Sequence, residues 1–415
     1  MRHHPALCQL TLLALASATA ATVQAQQLEV LHWWTAPSEA KAVKVIADAY
    51  AAGGGKWVDT AIAGGAGPAS QVTMSRLAAG DPPGAAQMSL GRRLRDVAAE
   101  NLLGDLNDVA VRDKWAEVLP PAVLRSVTVA GKVVAVPVSM HGVNWVWYSP
   151  KLLETAKVAP PKTWDEMMAA AEKIKAAGGL PFAVSTQAWQ INWLWGNILA
   201  GVGGKAAYEQ YTGGDAKVFT SPAGLKSFEI LARIRSHADP AAANRSWNAN
   251  STLVMNHKAA FQFMGDWAKG EFVGAGKKLG PKGDVGCMLT PGTQDFYLMM
   301  GDVIAMPAGV KPEAVAQQKK LAALVMDRDN QVKFALAKGS IPFRTDIKAE
   351  AFDDCAALAI TTMRKPNAQV PGAAMAMRGE VAGAVTDAIA KYWGTPAMTP
   401  QQGAEAAAAA MKRAS

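Results

Sequence analysis

Tryptophan is the residue whose number and placement in this sequence most invite chemistry. The chain has 13 tryptophans against 10 phenylalanines and 6 tyrosines, although phenylalanine fills cores more readily. An indole offers a broad rigid face to the C–H side of a polyol ring and one N–H donor at its edge. Trp33 and Trp34 are consecutive at the end of an apolar run, Leu28 to Trp34. If the strand continues through them their rings point to opposite faces, so one of the two can meet a ligand unless the chain turns; the alternative is a core pair. Trp189, Trp193 and Trp195 fall in a helical stretch, with Trp189 and Trp193 on one face at i, i+4, and read as packing.

Other chemistries find little support. HExxH, CxxC and GxSxG are absent. Gly53-Gly54-Gly55-Lys56-Trp57 and Gly203-Gly204-Lys205-Ala206 lack the upstream glycine spacing and the Ser or Thr of a phosphate loop. Gly64-Gly65-Ala66-Gly67 does not continue as a dinucleotide fingerprint and reads as a flexible turn beside a binding cleft. His32, His141, His237 and His257 have no metal-ligand spacing, so neither a metal nor another cofactor is expected. Carboxylates are plentiful, and Asp266 with Asp302 is the pair a glycosidase would need at a defined separation. A secreted carbohydrate-active hydrolase is therefore the rival to a binding protein.

The elements that must position these groups alternate. A first strand at Leu28–Trp34 is followed by a helix from Ser38 with Val43, Ile46 and Tyr50 on one face, ended by Gly53-Gly54-Gly55. A second strand spans Trp57–Ile62 and a second helix Pro68–Ala79. The turn Gly80-Asp81-Pro82-Pro83-Gly84 leads into a strand at Ala85–Ser89. This β-α-β-α order calls for a parallel sheet covered by helices. Lys132–Val138, Trp145–Tyr148 and Leu180–Ser185 are strand-like, and Thr163-Trp164-Asp165-Glu166 is a capping box opening a helix that stops at Gly178-Gly179. The alanine-rich stretch from Gly403 to Arg413 reads as a helix on the surface. No repeat or low-complexity linker cuts the chain into sequential halves, which suits two lobes sharing several crossovers.

Residues 1–25 have the layout of a secretory signal: Arg2, an apolar run from Leu7 to Ala20, and the small-x-small site Val23-Gln24-Ala25, with cleavage expected after Ala25. No later segment is apolar over the length a membrane span needs. Losing Arg2 lowers the formal net charge from +8 to +7, a balance that reflects general solubility; no basic run interleaved with aromatics points to nucleic acid. Cys8 leaves with the signal, and Cys287 and Cys355 remain. In an exported protein they are a disulfide candidate closing a loop of about 70 residues, worth about 4 kcal/mol on the chain-entropy model; two separate buried thiols are the alternative.

Taken in order, His32-Trp33-Trp34-Thr35, Gly80-Asp81-Pro82-Pro83, Val136-Pro137-Val138-Ser139-Met140-His141, Met264-Gly265-Asp266-Trp267-Ala268 and Lys338-Gly339-Ser340-Ile341-Pro342 resemble the extracellular solute-binding proteins of sugar ABC importers, and within them the glucose-binding branch. The resemblance runs over nearly the whole chain after the signal. It implies an α/β fold of two periplasmic-binding-protein-like lobes with crossover hinge strands: 26–138 with about 298–337 in one lobe, 139–297 with about 338–415 in the other. It further implies a monomeric periplasmic receptor, not an enzyme, that closes over a neutral sugar and delivers it to an ABC permease. Carried over by position, Trp33, Trp34, Trp247 and Trp267 are pocket walls, Gln87 a pocket amide, Asp302 a hydroxyl acceptor and Lys338 a donor, while Cys287 and Cys355 are paired. Two positions depart from the branch: Ser89 stands where it carries Lys or His, and Met375 where it carries His. Both remove polar reach, leaving room for a different or larger sugar, such as mannose, galactose or a small disaccharide.

Overall fold

The computed structural model describes residues 27–239, 241–243, 245–348, 353–363 and 365–415; the signal expected over 1–25 lies outside them. The strands are β1 (Gln27–His32), β2 (Lys56–Ala61), β3 (Ala85–Ser89), β4 (Thr128–Val129), β5 (Lys132–Val133), β6 (Ala135–Gly142), β7 (Trp145–Tyr148), β8 (Leu180–Phe182), β9 (Ala259–Phe263), β10 (Gly286–Leu289), β11 (Tyr297–Ala305) and β12 (Gln369–Pro371). One sheet has the order β12-β11-β3-β1-β2, with β6 also paired to β11. β1 runs parallel to β2 and β3, as alternation with helices requires. The second sheet has the order β10-β7-β9-β8. The helix Pro37–Ala52 covers the first sheet by burying Ala42, Val43, Ile46 and Tyr50, one face at 3.6-residue spacing. Burying Val43 and Ile46 contributes roughly 1.5–3 kcal/mol each.

Two separate hydrophobic cores divide the chain. The first gathers residues between Leu28 and Val138 and between Val303 and Phe343. The second gathers Val143 to Leu298 and Cys355 to Met411. Three passages join them. β6 carries the chain out of the first core, and β11 carries it back, with Tyr297 and Leu298 in the second core and Val303–Ala305 in the first. The two strands pair antiparallel along their length, and the register shifts between Asp302 and Val303. The third passage touches them at a bridge between Met140 and Ile341. On this stretch Ile341 packs against the second core, while Phe343 is 3% exposed in the first, Arg344 donates to the Met326 carbonyl at 2.7 Å, and the Thr345 N–H donates to the Val118 carbonyl at 2.9 Å.

Cys287 on β10 and Cys355 on the helix Asp354–Met363 form a disulfide, pinning the chain to the second lobe just after the third passage. The terminal helix is longer and deeper than its alanine content suggests. It spans Pro400–Ala414 and buries Ala404, Ala407 and Met411, because small side chains let it approach the helix Gly379–Gly394 closely. Beside the hinge the lobes also touch directly. Glu271 of the second lobe accepts from the Ser38 N–H at 2.8 Å, in the first turn of Pro37–Ala52, where free N–H groups favour a carboxylate.

Candidate functional site

The two lobes enclose a cleft of about 740 Å³ lined from both sides. Its floor is made by the hinge strands and the helix ends beside them. β11 supplies Asp302 and β6 supplies His141, buried to 2% and 1% exposure. Lys338 is the last residue of the helix Arg328–Lys338, which stops because Gly339 takes the left-handed conformation at φ 82°, open to glycine without a Cβ penalty. That stop aims Lys338 inward. Its Nζ lies 3.1 Å from Glu39 Oε1 and 5.7 Å from the centre of the Trp267 ring. Glu39 is itself held, since its other oxygen accepts from the Thr35 and Ala36 N–H groups at 3.1 Å each.

A second charged chain runs through His141. Its Nδ1 lies 2.6 Å from Asp266 and its Nε2 3.4 Å from Asp302 and 3.1 Å from the Ser139 hydroxyl. Burial pushes the imidazole pKa down and Lys338 pushes the same way, but Asp266 and Asp302 outweigh both, and the pKa is raised. Asp266 also accepts from the Gly142 N–H at 2.8 Å and does not line the cleft. The two carboxylates that the rival hydrolase reading would need thus lie either side of one imidazole instead of flanking open space. Asp302 keeps one oxygen, Oδ1, buried and without a partner among the described residues. An unpaired buried acceptor is costly and marks a place where a donor is expected.

Five of the 13 tryptophans reach this cleft: Trp33, Trp189, Trp193, Trp247 and Trp267. The others largely serve cores, as Trp145 does stacked on Trp147 at 5.7 Å, and Trp195 on Phe219 at 4.9 Å. Of the residues singled out from the sequence, Trp33, Trp247, Trp267, Asp302 and Lys338 share the cleft wall. Trp34 does not. It is 3% exposed in the first core and meets Phe334 edge-on at 5.3 Å, because successive side chains of an extended segment face opposite ways. Gln87 is also off the wall. Its Oε1 accepts from the Trp33 N–H at 3.0 Å, so it holds the backbone of the cleft tryptophan from behind, and its Nε2 is buried without a partner among the described residues. Ser89, two residues along β3, does line the cleft and pairs in register with Asp302. Met375 packs on the first core instead of entering the cleft. Among the described residues no cluster of His, Cys, Asp and Glu is arranged to hold a metal ion.

Sequence reasoning passed over Glu39, His141, Trp189 and Trp193. Glu39 reads as an ordinary first-turn acid, and His141 lacks any ligand spacing. Trp193 is packing as well as wall: its Nε1 donates to the Val143 carbonyl at 2.9 Å, and its ring stands edge-on to Trp267 at 5.1 Å. The i, i+4 spacing of Trp189 and Trp193 was the available signal, and it does not say which face meets solvent.

Comparison with known proteins agrees with this architecture. The sequence profile of the bacterial extracellular solute-binding proteins matches residues 36–318. A "Probable sugar-binding periplasmic protein" of Brucella suis is 36% identical over 345 residues, covering 83% of this chain and 81% of that protein. A protein of the same description from Mesorhizobium japonicum is 35% identical over 353 residues, covering 85% and 83%. Among solved structures, a chitin oligosaccharide binding protein superposes with a TM-score of 0.80 at 20% identity, covering 94% of this chain and 99% of the other. A bacterial solute receptor described as preferring β-D-galactopyranose gives 0.75 at 17% identity, covering 94% and 97%. At those identities the structures speak for the two-lobed α/β fold alone. The chain belongs to the bacterial extracellular solute-binding protein family, and is a periplasmic binding protein rather than an enzyme.

Proposed function

We propose that this chain captures a neutral sugar between its lobes, with a glucose-like hexopyranose unit at the hinge end of the cleft, and hands it as a monomer to the permease of an ABC importer. The observation that carries this reading is Asp302 Oδ1, buried and unpartnered among the described residues, in a wall shared with Trp33, Trp247 and Trp267. A pyranose presents C–H faces to indoles and hydroxyl donors at its rim, so one ligand chemistry answers both features. The cation at the floor, Lys338, is already balanced by Glu39, so the cleft brings no unpaired positive charge to an anionic ligand. The names of the Brucella and Mesorhizobium relatives support the same class. Glucose is the default, and mannose or galactose the nearest alternatives, because Ser89 is too short to select one hydroxyl pattern strongly.

Closure follows from where the groups sit. Asp302 and His141 belong to the hinge strands, Trp33 to the first lobe, and Trp247 and Trp267 to the second. A ligand touching all of them binds the closed form better than the open form, and that difference alone drives the change. A micromolar dissociation constant corresponds to about −8 kcal/mol. Titration calorimetry of the chain and of Asp302→Ala with glucose, mannose and galactose tests the reading. Heat of binding that disappears in Asp302→Ala supports it; no binding of any sugar by the unaltered chain removes it.

A further inference from the structure

Resting on the reading that Trp33 faces a sugar, we propose that His32, backed by Asp59, is a positioning residue that sets sugar affinity through Trp33 without touching the ligand. Neither His32 nor Asp59 lines the cleft. His32 ends β1 and is 1% exposed. It pairs in register with Ala61 of β2, two residues from Asp59, so the side chains of His32 and Asp59 emerge on the same face of the sheet. The His32 Nε2 lies 2.7 Å from Asp59 Oδ1, and that oxygen also accepts from Trp57 Nε1 at 3.0 Å.

At this point β1 leaves the ladder. The His32 carbonyl still accepts from the Ile62 N–H at 2.8 Å, but the next two N–H groups take side-chain acceptors. That of Trp33 donates to Gln87 Oε1 at 3.0 Å, and that of Trp34 to His32 Nδ1 at 3.2 Å. A buried N–H without an acceptor is costly, so these two bonds decide how the chain turns out of the sheet. Each belongs to one of the two planar peptide groups flanking Trp33. Holding both planes fixes φ and ψ of Trp33, and with them the direction in which its indole leaves the backbone. Trp34 is anchored against Phe334 at 5.3 Å, which keeps the second plane from rolling. Trp33 therefore meets a ligand already aimed, and a platform so held binds with little ordering cost.

The same contacts dictate the state of the imidazole. A backbone N–H only donates, so Nδ1 carries no proton, and the single ring proton sits on Nε2 and is given to Asp59. Asp59 thus selects the tautomer that leaves an acceptor for Trp34. Side-chain shape separates this role from packing. Asparagine places its Oδ1 where histidine has Nδ1, and keeps the acceptor for Trp34. Glutamine is closer to histidine in volume and reaches Asp59 with its ε nitrogen, but it has no acceptor at the δ position. A packing role favours glutamine, and a positioning role favours asparagine.

The test is titration calorimetry with glucose on the full chain and on His32→Asn, His32→Gln and Trp33→Ala, with His32→Gln also placed on the Trp33→Ala background. His32→Gln is expected to weaken glucose binding by about 3–10-fold, the worth of one hydrogen bond, and His32→Asn by less than about twofold. On the Trp33→Ala background His32→Gln should cost nothing further, because a residue that acts through Trp33 has nothing left to position. Long-range proton–nitrogen NMR correlation of the unaltered chain should show the His32 proton on Nε2, a readout that depends on no variant. Asp59→Ala, at a half-exposed site on the edge strand, should let that proton move to Nδ1 and weaken glucose binding as well. An equal loss with and without Trp33, asparagine losing as much as glutamine, or the proton on Nδ1 in the unaltered chain overturns the positioning role and leaves the cleft site standing. No response to glucose by the unaltered chain overturns the sugar reading, and this role with it.

Discussion

Trp33 and Trp34 are neighbours in sequence with opposite surroundings, and alanine at each should have opposite consequences. Trp34 is 3% exposed, packed on Phe334 in the first core. Cutting a buried tryptophan to alanine costs about 3–5 kcal/mol, through lost transfer energy and the cavity left behind. Its indole N–H has no partner among the described residues, so no hydrogen bond to them is lost with it. Trp33 is half-buried on the cleft wall, its backbone fixed by Gln87. Trp33→Ala should leave stability within about 1 kcal/mol and cost about 1–2 kcal/mol of sugar binding, roughly 5–30-fold in affinity. Urea unfolding and calorimetry on both variants separate the effects. Equal losses of affinity with unchanged stability in both would refute the division of the pair between core and cleft.

Other expectations follow from the buried charges and the disulfide. Lys338→Met leaves Glu39 buried without its cation and should lower stability by about 3–5 kcal/mol, with Glu39→Gln recovering part of that loss in the double variant, as read by urea unfolding. His141 has a raised pKa in the folded chain, facing Asp266 and Asp302 with Lys338 opposing. Its stabilisation is complete below its ordinary value of about 6.5 and is lost as the pH rises through the folded value. Tm should therefore fall as the pH rises from about 6.5 toward the folded value, and His141→Gln should flatten the slope over that window; an unchanged slope would exclude His141 as its source. Replacing both Cys287 and Cys355 by serine releases a loop with a sequence separation of 68 and should cost about 4 kcal/mol in denaturant unfolding.

Much of the architecture was legible because it rests on local rules. The opening β-α-β-α alternation, the Thr163 capping box and the helix through Trp189–Trp195 are all where periodicity and capping place them. Segment ends were less so: β6 runs on to Gly142 because it is a crossover strand, and only its pairing with β11 reveals that. The alanine-rich C-terminus has a weakly hydrophobic composition, yet its small side chains permit close helix packing that burial by pattern does not reveal. In the site, residue type foretold little about Glu39 and His141. Their positions depend on contacts such as His141 with Asp266, 125 residues apart, that only the folded chain assembles. Gln87 reads as a ligand amide by resemblance, but in the fold its oxygen is taken by the backbone of Trp33.

The central claim is that one cleft, walled by both lobes, encloses a sugar against Asp302. A crystal structure of the chain grown with excess glucose addresses it directly. The account predicts a pyranose between the indoles of Trp33 and Trp267, with a hydroxyl within hydrogen-bond distance of Asp302 Oδ1. An empty cleft at saturating glucose, or a sugar ordered only elsewhere on the surface, would contradict it.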